Sequence, residues 1–572
     1  MENSRVRPGI AILLLSAALG PGALRSAQTT PTANDIPIEL PVYTVTELPF
    51  MPEPERWSYA SFDGYEILSS AGARRTQDVL QELRRFRQAV SWIWPGLERP
   101  GDQTLIVLCS DSRFRAFFRP DDRDFAYARS SLMARAEGYA VVVADMQAFG
   151  ENPGDSLDID NPSAPITANL PAEWRTMPAG VTNEGMMTAH SYNELNRLFL
   201  KSHLRRLEQP VAYWLEEGLI QLVTAMRITD HSVSLGKVGS ANDSEYTADY
   251  FNVYLGGRQL LPLSEMFAHK EGEKDEEGRY GARWAKQCYA FVHWGIYGDL
   301  GKNQKNFLTF LLRLNKEPLT EAMFRECFGK SYEEMLLVLR SHIDWTRSKV
   351  AGLQAAKGER LPQPPAVEVR EASEAEIGRI RGDVLLALGQ PVPARQAMIA
   401  AYMRRERDPE LLAALGVWEN RHGDSGKARR FLELAIKNGT RRPHAYLEMV
   451  AWQRKAIASP RLSATQAAPL LALAYKALVH PPLLAVSYRT IAELWKDCEV
   501  APPNPHLEVM LEGVRMFPRD VELLFQVAVQ CRRSGRVDEA RALAARGLSM
   551  AADEATRTRF QALADSLPPA PS

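Results

Sequence analysis

Residues 187–226 read MTAHSYNELNRLFLKSHLRRLEQPVAYWLEEGLIQLVTAM. The first part keeps a helical period over about 183–204, with Thr182 or Asn183 as N-cap and Glu184 in the first turn. Gln209-Pro210 breaks the run, and a second helix is expected over 214–226, opened by Trp214-Leu215-Glu216-Glu217-Gly218-Leu219. His190 and Glu194 stand at i and i+4, one above the other on a helix face. An imidazole and a carboxylate so placed can both reach one divalent ion, and a third donor from the next helix would complete the set, because zinc accepts both imidazole nitrogen and carboxylate oxygen. Two carboxylates make zinc a poorer Lewis acid and favour a harder ion such as manganese. A lone His/Glu pair at this spacing is usually only a surface or groove pair. The W-L-E-E-G-L string one loop later weighs against that plain reading.

These residues resemble the gluzincin metallopeptidases, whose first site helix carries H-E-x-x-H and whose second supplies a glutamate in a W-L-x-E-G setting. On that pattern His190 matches the first histidine and Glu217 the downstream glutamate. Ser191 stands where the family has its general-base glutamate, and Glu194 where it has the second histidine. A serine hydroxyl cannot take the proton from a metal-bound water, and losing a general base costs roughly 10² to 10⁴ in rate. Glu216 is the one nearby substitute, but it is adjacent to Glu217 and should point elsewhere on the helix. The resemblance extends over roughly 42–349. It includes a later helix at 284–296 (WAKQCYAFVHWGI) and a closing phrase F-G-K-S-Y-E-E-M at 328–335. Tyr289 and His293 fall at i and i+4 on the 284–296 helix; they either reach a cleft and polarise a carbonyl or pack, and packing weighs heavier.

The 572 residues are 45% hydrophobic and 24% charged with a formal net charge of −1, as in an ordinary folded chain of several domains. Near-zero charge points away from nucleic acid and anionic membranes as partners. Five scattered cysteines (Cys109, Cys288, Cys327, Cys498, Cys531) show no C-x-x-C spacing, so buried thiols are the simplest expectation. Residues 1–27 read as an export signal: Arg5 and Arg7 precede the apolar run 10–19, and small residues follow through Ala27. That run is too short to span a bilayer, and no later segment is long and apolar enough for stable insertion. A disordered linker is expected over 28–41.

The fold expected is an α+β peptidase-like domain, a small sheet plus helices, followed by an all-α tetratricopeptide-type solenoid. Its α+β part spans 42–180 and its helical part 181–349. Helix 73–94 and strands 104–109 (TLIVLC) and 138–145 (GYAVVVAD) anchor the first part. In the gluzincin resemblance the latter strand is expected at the edge of the sheet, lining the cleft. Residues 147–180 form a long polar loop, either a lid or a floppy insertion. A linker is expected at 350–375, marked by L-P-Q-P-P at 361–365.

Over 376–565 a repeat appears. Gly382, Gly389, Ala394, Met398 and Ala401 recur 34 residues later as Gly416, Gly423, Ala428, Leu432 and Ala435. Ala528, Gly535, Ala540, Ala544 and Gly547 repeat the same internal spacing. These are similar to the small and large positions of tetratricopeptide repeats, and four or five units are expected, with an insertion near 459–465. Such arrays offer a curved face to peptides or partner proteins.

Three functions follow from these residues. The first is an exported (periplasmic, cell-surface or secreted), non-catalytic or weakly catalytic peptidase-like chain that binds protein or peptide through the cleft and the repeats. The second is an active metallopeptidase with His190, Glu194 and Glu217 as ligands to zinc or another divalent metal, and with Glu216 or a residue of the long loop as base. The third is a scaffold with no metal.

Overall fold

The structure is a computed structural model. It describes residues 41, 53–94, 103–119, 131–136, 138–146, 195–204, 211–224, 226–235, 255, 259–270, 279–314, 317–345, 351–551 and 553–568. Expectations for 1–40 and 147–194 fall outside the described residues, His190, Ser191 and Glu194 among them.

The chain from residue 53 opens with a hairpin, β1 (Ser58–Phe62) and β2 (Tyr65–Ser69), and then helix α1 (Ala73–Ile93). Strand β3 (Gln103–Cys109), a short 3-10 turn (Ser112–Phe117), β4 (Ser131–Ala136) and β5 (Tyr139–Asp145) follow. The strands lie in the order β4-β5-β3-β2-β1 with a sixth, β9 (Arg370–Glu371), at the far edge. β2, β3 and β5 run parallel. The runs TLIVLC and AVVVA are buried along their length, as a parallel strand covered on both faces requires. α1 buries Thr76, Val79, Leu80, Leu83, Phe86 and Val90, one face at helical period.

Two expectations are corrected by the sheets. β5 does not form the edge; β4 pairs outside it, antiparallel, with Leu132 opposite Val143. An apolar strand such as β5 is stable inside a sheet, whereas the mixed sequence SLMARA tolerates an edge. Residues 350–375, expected as a linker, are stitched into two sheets. β8 (Ala351–Gln354) pairs with β7 (Ser232–Leu235), which pairs with β6 (Arg227–Ile228), and β9 pairs with β1. Between them the proline-rich strap lies along α1. The carbonyls of Pro364 and Pro365 accept from Gln81 Nε2 (3.2 Å) and Arg84 Nη1 (2.9 Å).

The helical part holds α2 (195–204), α3 (Tyr213–Thr224), α4 (Leu263–Ala268), α5 (Arg279–Tyr297), α6 (Gln304–Leu314), α7 (Glu321–Phe328) and α8 (Tyr332–Trp345). Its core is aromatic: Trp214 meets Phe267, Phe291 and Phe310 with ring centroids 5.0, 5.5 and 6.1 Å apart. All five cysteines are free, and four are buried. Burial pushes the Cys109, Cys288 and Cys531 thiols up, which removes them from thiolate chemistry at neutral pH.

From residue 374 the chain is a run of antiparallel helix pairs. They are α9 (Glu374–Ala387) with α10 (Pro391–Met403), α11 (Pro409–His422) with α12 (Ser425–Lys437), and α13 (Pro443–Ala456) with α14 (Ala464–Lys476). α15 (Ala485–Asp497) with α16 (Asn504–Met516) and α17 (Val521–Arg533) with α18 (Val537–Met550) complete it, and α19 (Glu554–Asp565) caps the end. Ser373 and Ser463 close capping boxes with Glu376 and Gln466, and Asp408, Asp424 and Asp520 cap three further helices. The 34-residue glycines are contact points. A Cβ on Gly382 would lie 2.6 Å from Met398, and one on Gly416 would lie 2.6 Å from Leu432, so each pair closes only because the residue is glycine. The inserted segment is pinned by Leu462, whose N–H donates to Asp497 O (2.9 Å) and whose carbonyl accepts from Glu499 N (3.1 Å).

Candidate functional site

The W-L-E-E-G-L string builds the helix-to-helix junction of the domain. Its tryptophan anchors the aromatic core, and its glycine lets α3 cross α5: a Cβ on Gly218 would stand 2.5 Å from Val292 Cγ2 and 2.8 Å from the Cys288 carbonyl oxygen. Both glutamates are buried, Glu216 at 5% and Glu217 at 8% exposure.

Glu217 faces α2. Arg197 Nη2 donates to its Oε1 (3.0 Å) and Oε2 (3.1 Å), and Gln221 Nε2 donates to Oε1 (2.8 Å). Burial alone would raise the Glu217 carboxyl, but Arg197, Gln221 and the charge of Lys201 outweigh it and hold it below the usual carboxylate value. Glu217 is thus an ionised, buried carboxylate whose compensating cation is a side chain. Gln221 Oε1 beside it on α3, and Asn196 Oδ1 on α2, are buried without a hydrogen-bond partner.

His190, Ser191 and Glu194 lie outside the described residues. Among the described residues no group of three or more His, Cys, Asp or Glu could hold a metal ion. The donor chemistry at Glu217 does not fit a divalent ion. Unit charges 4 Å apart repel by about 4 kcal/mol at an effective dielectric of about 20, and a dication beside the guanidinium meets about twice that.

Tyr289 and His293 are both fully buried on α5, their rings 5.9 Å apart and edge to face. His293 Nδ1 lies 2.9 Å from His342 Nε2 on α8, so the pair joins the helices of the domain. Burial first, then the neighbouring His293, lower His342 from 6.5 to about 3. The folded chain keeps that ring neutral while the unfolded chain takes up a proton below pH 6.5. The stability attached to it is complete above pH 6.5 and drains as pH falls toward 3. The slope is at most about 1.4 kcal/mol per pH unit, and less because the ring keeps some contact with water. His342→Gln should flatten the unfolding midpoint between pH 6.5 and about 5, measured by urea titration. Parallel pH profiles for the two proteins would refute this account of the pair.

Arg197 is the residue of this junction that the motif reading missed. In sequence it lies three positions beyond Glu194 and seven beyond His190, the spacing of one face in the helix expected there, and that was the available signal. A second buried polar pair, also missed, joins α2 to the sheet: His203 Nε2 lies 3.1 Å from the Tyr65 hydroxyl, with the Phe199 ring tilted against the imidazole at 4.6 Å between centroids.

No family model matches the chain, and no characterised protein matches it. Among solved structures it is similar to one described as the crystal structure of MamA protein. That match has 14% identity and a TM-score of 0.24, and it covers 35% of this chain and 99% of that one. At that TM-score the likeness carries no argument about fold. Among the described residues no helix is long and apolar enough to cross a membrane.

Proposed function

We propose that this is an exported, non-catalytic peptidase-like chain that binds a protein or peptide partner, with the tetratricopeptide-type array as its interaction scaffold. The observation that carries the non-catalytic reading is the Arg197–Glu217 ion pair, which gives the carboxylate a permanent cation. Ser191 at the general-base position supports it from the sequence. The interaction reading rests on the helix-pair array, an architecture that presents extended surface and little enclosed volume. Export rests on the basic, apolar and small-residue order of residues 1–27.

The test is elemental analysis of the purified full chain after dialysis against zinc or manganese, together with a peptide-hydrolysis assay. The expected result is no stoichiometric metal, no turnover, and no change in either on Glu217→Ala. Near-stoichiometric metal that disappears in Glu217→Ala would overturn the reading in favour of an active or metal-holding site. Fractionation of cells expressing the full chain checks export; a product retained in the cytoplasm with residues 1–27 intact would refute it.

A further inference from the structure

The first helices of successive pairs pack on one another along the array: α9 on α11, α11 on α13, α13 on α15 and α15 on α17. The face they build is where an array of this kind would take a partner. In this chain the α+β domain already sits there. Arg379 and Asp383, at i and i+4 on α9, face away from α10 toward the sheet. Arg379 grips Glu66 of β2 with both guanidinium nitrogens, Nη2 to Oε1 at 2.6 Å and Nη1 to Oε2 at 3.1 Å. Asp383 in turn accepts from Arg442, the N-cap residue of α13, at 2.6 and 2.9 Å. The side chains of Arg379, Asp383 and Arg442 are 10%, 5% and 14% exposed and that of Glu66 23%, so this chain of charges is largely withdrawn from water, least so at the Glu66 end.

Two contacts independent of those charges extend the same face. The turn between β4 and β5 reaches the start of the fourth pair. A Cβ on Gly138 would lie 2.1 Å from Leu484 Cδ2 and 3.0 Å from Pro482, and Leu484 is the N-cap of α15. At the other end Gln390 Nε2, in the α9–α10 turn, donates to the Phe117 carbonyl at 2.6 Å, a buried bond. The domain therefore touches the first and fourth pairs directly, and the third only by way of Asp383 of α9, whose partner Arg442 is the N-cap of α13.

We propose that the α+β domain is the array's own ligand: Glu66 and the β4–β5 turn occupy the first-helix face from the first to the fourth pair. An outside partner reaches that stretch only when the domain is displaced, and otherwise has the fifth pair and α19. The gating role rests on the reading of the array as a partner-binding scaffold; the intramolecular contact does not. The geometry argues for a seated domain over a tethered one in two ways. Release breaks both bonds of the two-point Arg379–Glu66 grip together, so that contact opens as a unit. And a glycine is needed where the turn meets the fourth pair.

The test is the distance between spin labels at two exposed positions, Asp78→Cys on α1 and Lys455→Cys on α13. It uses the full chain with Cys327→Ser, the one cysteine that is not fully buried. A single narrow distance is expected, and its loss is expected in Arg379→Met and, without any change of charge, in Gly138→Leu. A broad distribution in the parent, or a narrow one untouched by either substitution in folded protein, would overturn the proposal. The parent measurement stands even if a variant fails to fold. It also separates the two claims: a narrow distance in a chain that binds no protein leaves the contact intact and removes the scaffold reading. A broad distance removes the contact alone.

Discussion

Gly218→Leu should destabilise the chain by about 3 kcal/mol or more, among the larger single-residue effects available to it. The reason is the identity of the nearest atoms. Val292 Cγ2, 2.5 Å from an added Cβ, can turn aside, but the Cys288 carbonyl at 2.8 Å and its carbon at 3.1 Å are backbone of α5. They move only if α3 and α5 part. Parting them opens the fully buried layer of Cys288, Tyr289, Val292 and His293. Alanine gives the graded version: it gains about 1 kcal/mol of helix propensity over glycine and still has to fit the same Cβ. Gly218→Ala should therefore lower the urea midpoint with an unchanged slope. A rise in midpoint would mean that propensity wins and the helices do not meet this closely.

That glycine shows what the sequence could and could not give. Trp214, Glu217 and Gly218 were legible as a group because a tryptophan, two acids and a glycine stand together on one expected helix, one loop after a histidine-bearing helix. The string marks a helix junction whether or not chemistry takes place there. The repeats were legible for a related reason: Gly382 and Gly416 must be small because Met398 and Leu432 are large, and the constraint returns with the period. β5 was found and misplaced, since burial on both faces says that a strand is covered but not which neighbour lies beyond it. β4 was missed because six mixed residues give too little alternation to read. The contact of the two domains was illegible in principle. Glu66 and Arg379 are 313 positions apart, and neither has a local pattern to distinguish it from the many other charged residues. The pairing of Glu217 with Arg197 lies between these cases. Helical spacing placed the arginine on the site face, but attention to metal ligands directed the reading to acids and histidines.

Arg197→Met is expected to cost about 2–3 kcal/mol at neutral pH and to reverse the sign of one pH dependence. The energy follows from leaving a buried carboxylate uncompensated, a loss of about 3–5 kcal/mol for a fully buried pair, discounted because the arginine side chain is 34% exposed. The sign follows from linkage. In the parent the Glu217 carboxyl is held below its ordinary value of 4.5. It therefore contributes stability above that pH, which is lost as pH falls through and below it. Without Arg197, burial, the largest influence on the group, is opposed only by Gln221 and the more distant charge of Lys201. The folded-state value then rises above the unfolded one, and the variant should gain stability as pH falls from neutral toward 4.5, while the parent does not. Adding Glu217→Gln removes the stranded charge. The double variant should recover about 1–2 kcal/mol relative to Arg197→Met and lose the pH slope. Chemical denaturation of the three variants across that pH range is the measurement. If Glu217 instead served a metal, adding zinc to Arg197→Met would stabilise it and Glu217→Gln would not rescue it, so the two readings of the same carboxylate predict opposite results.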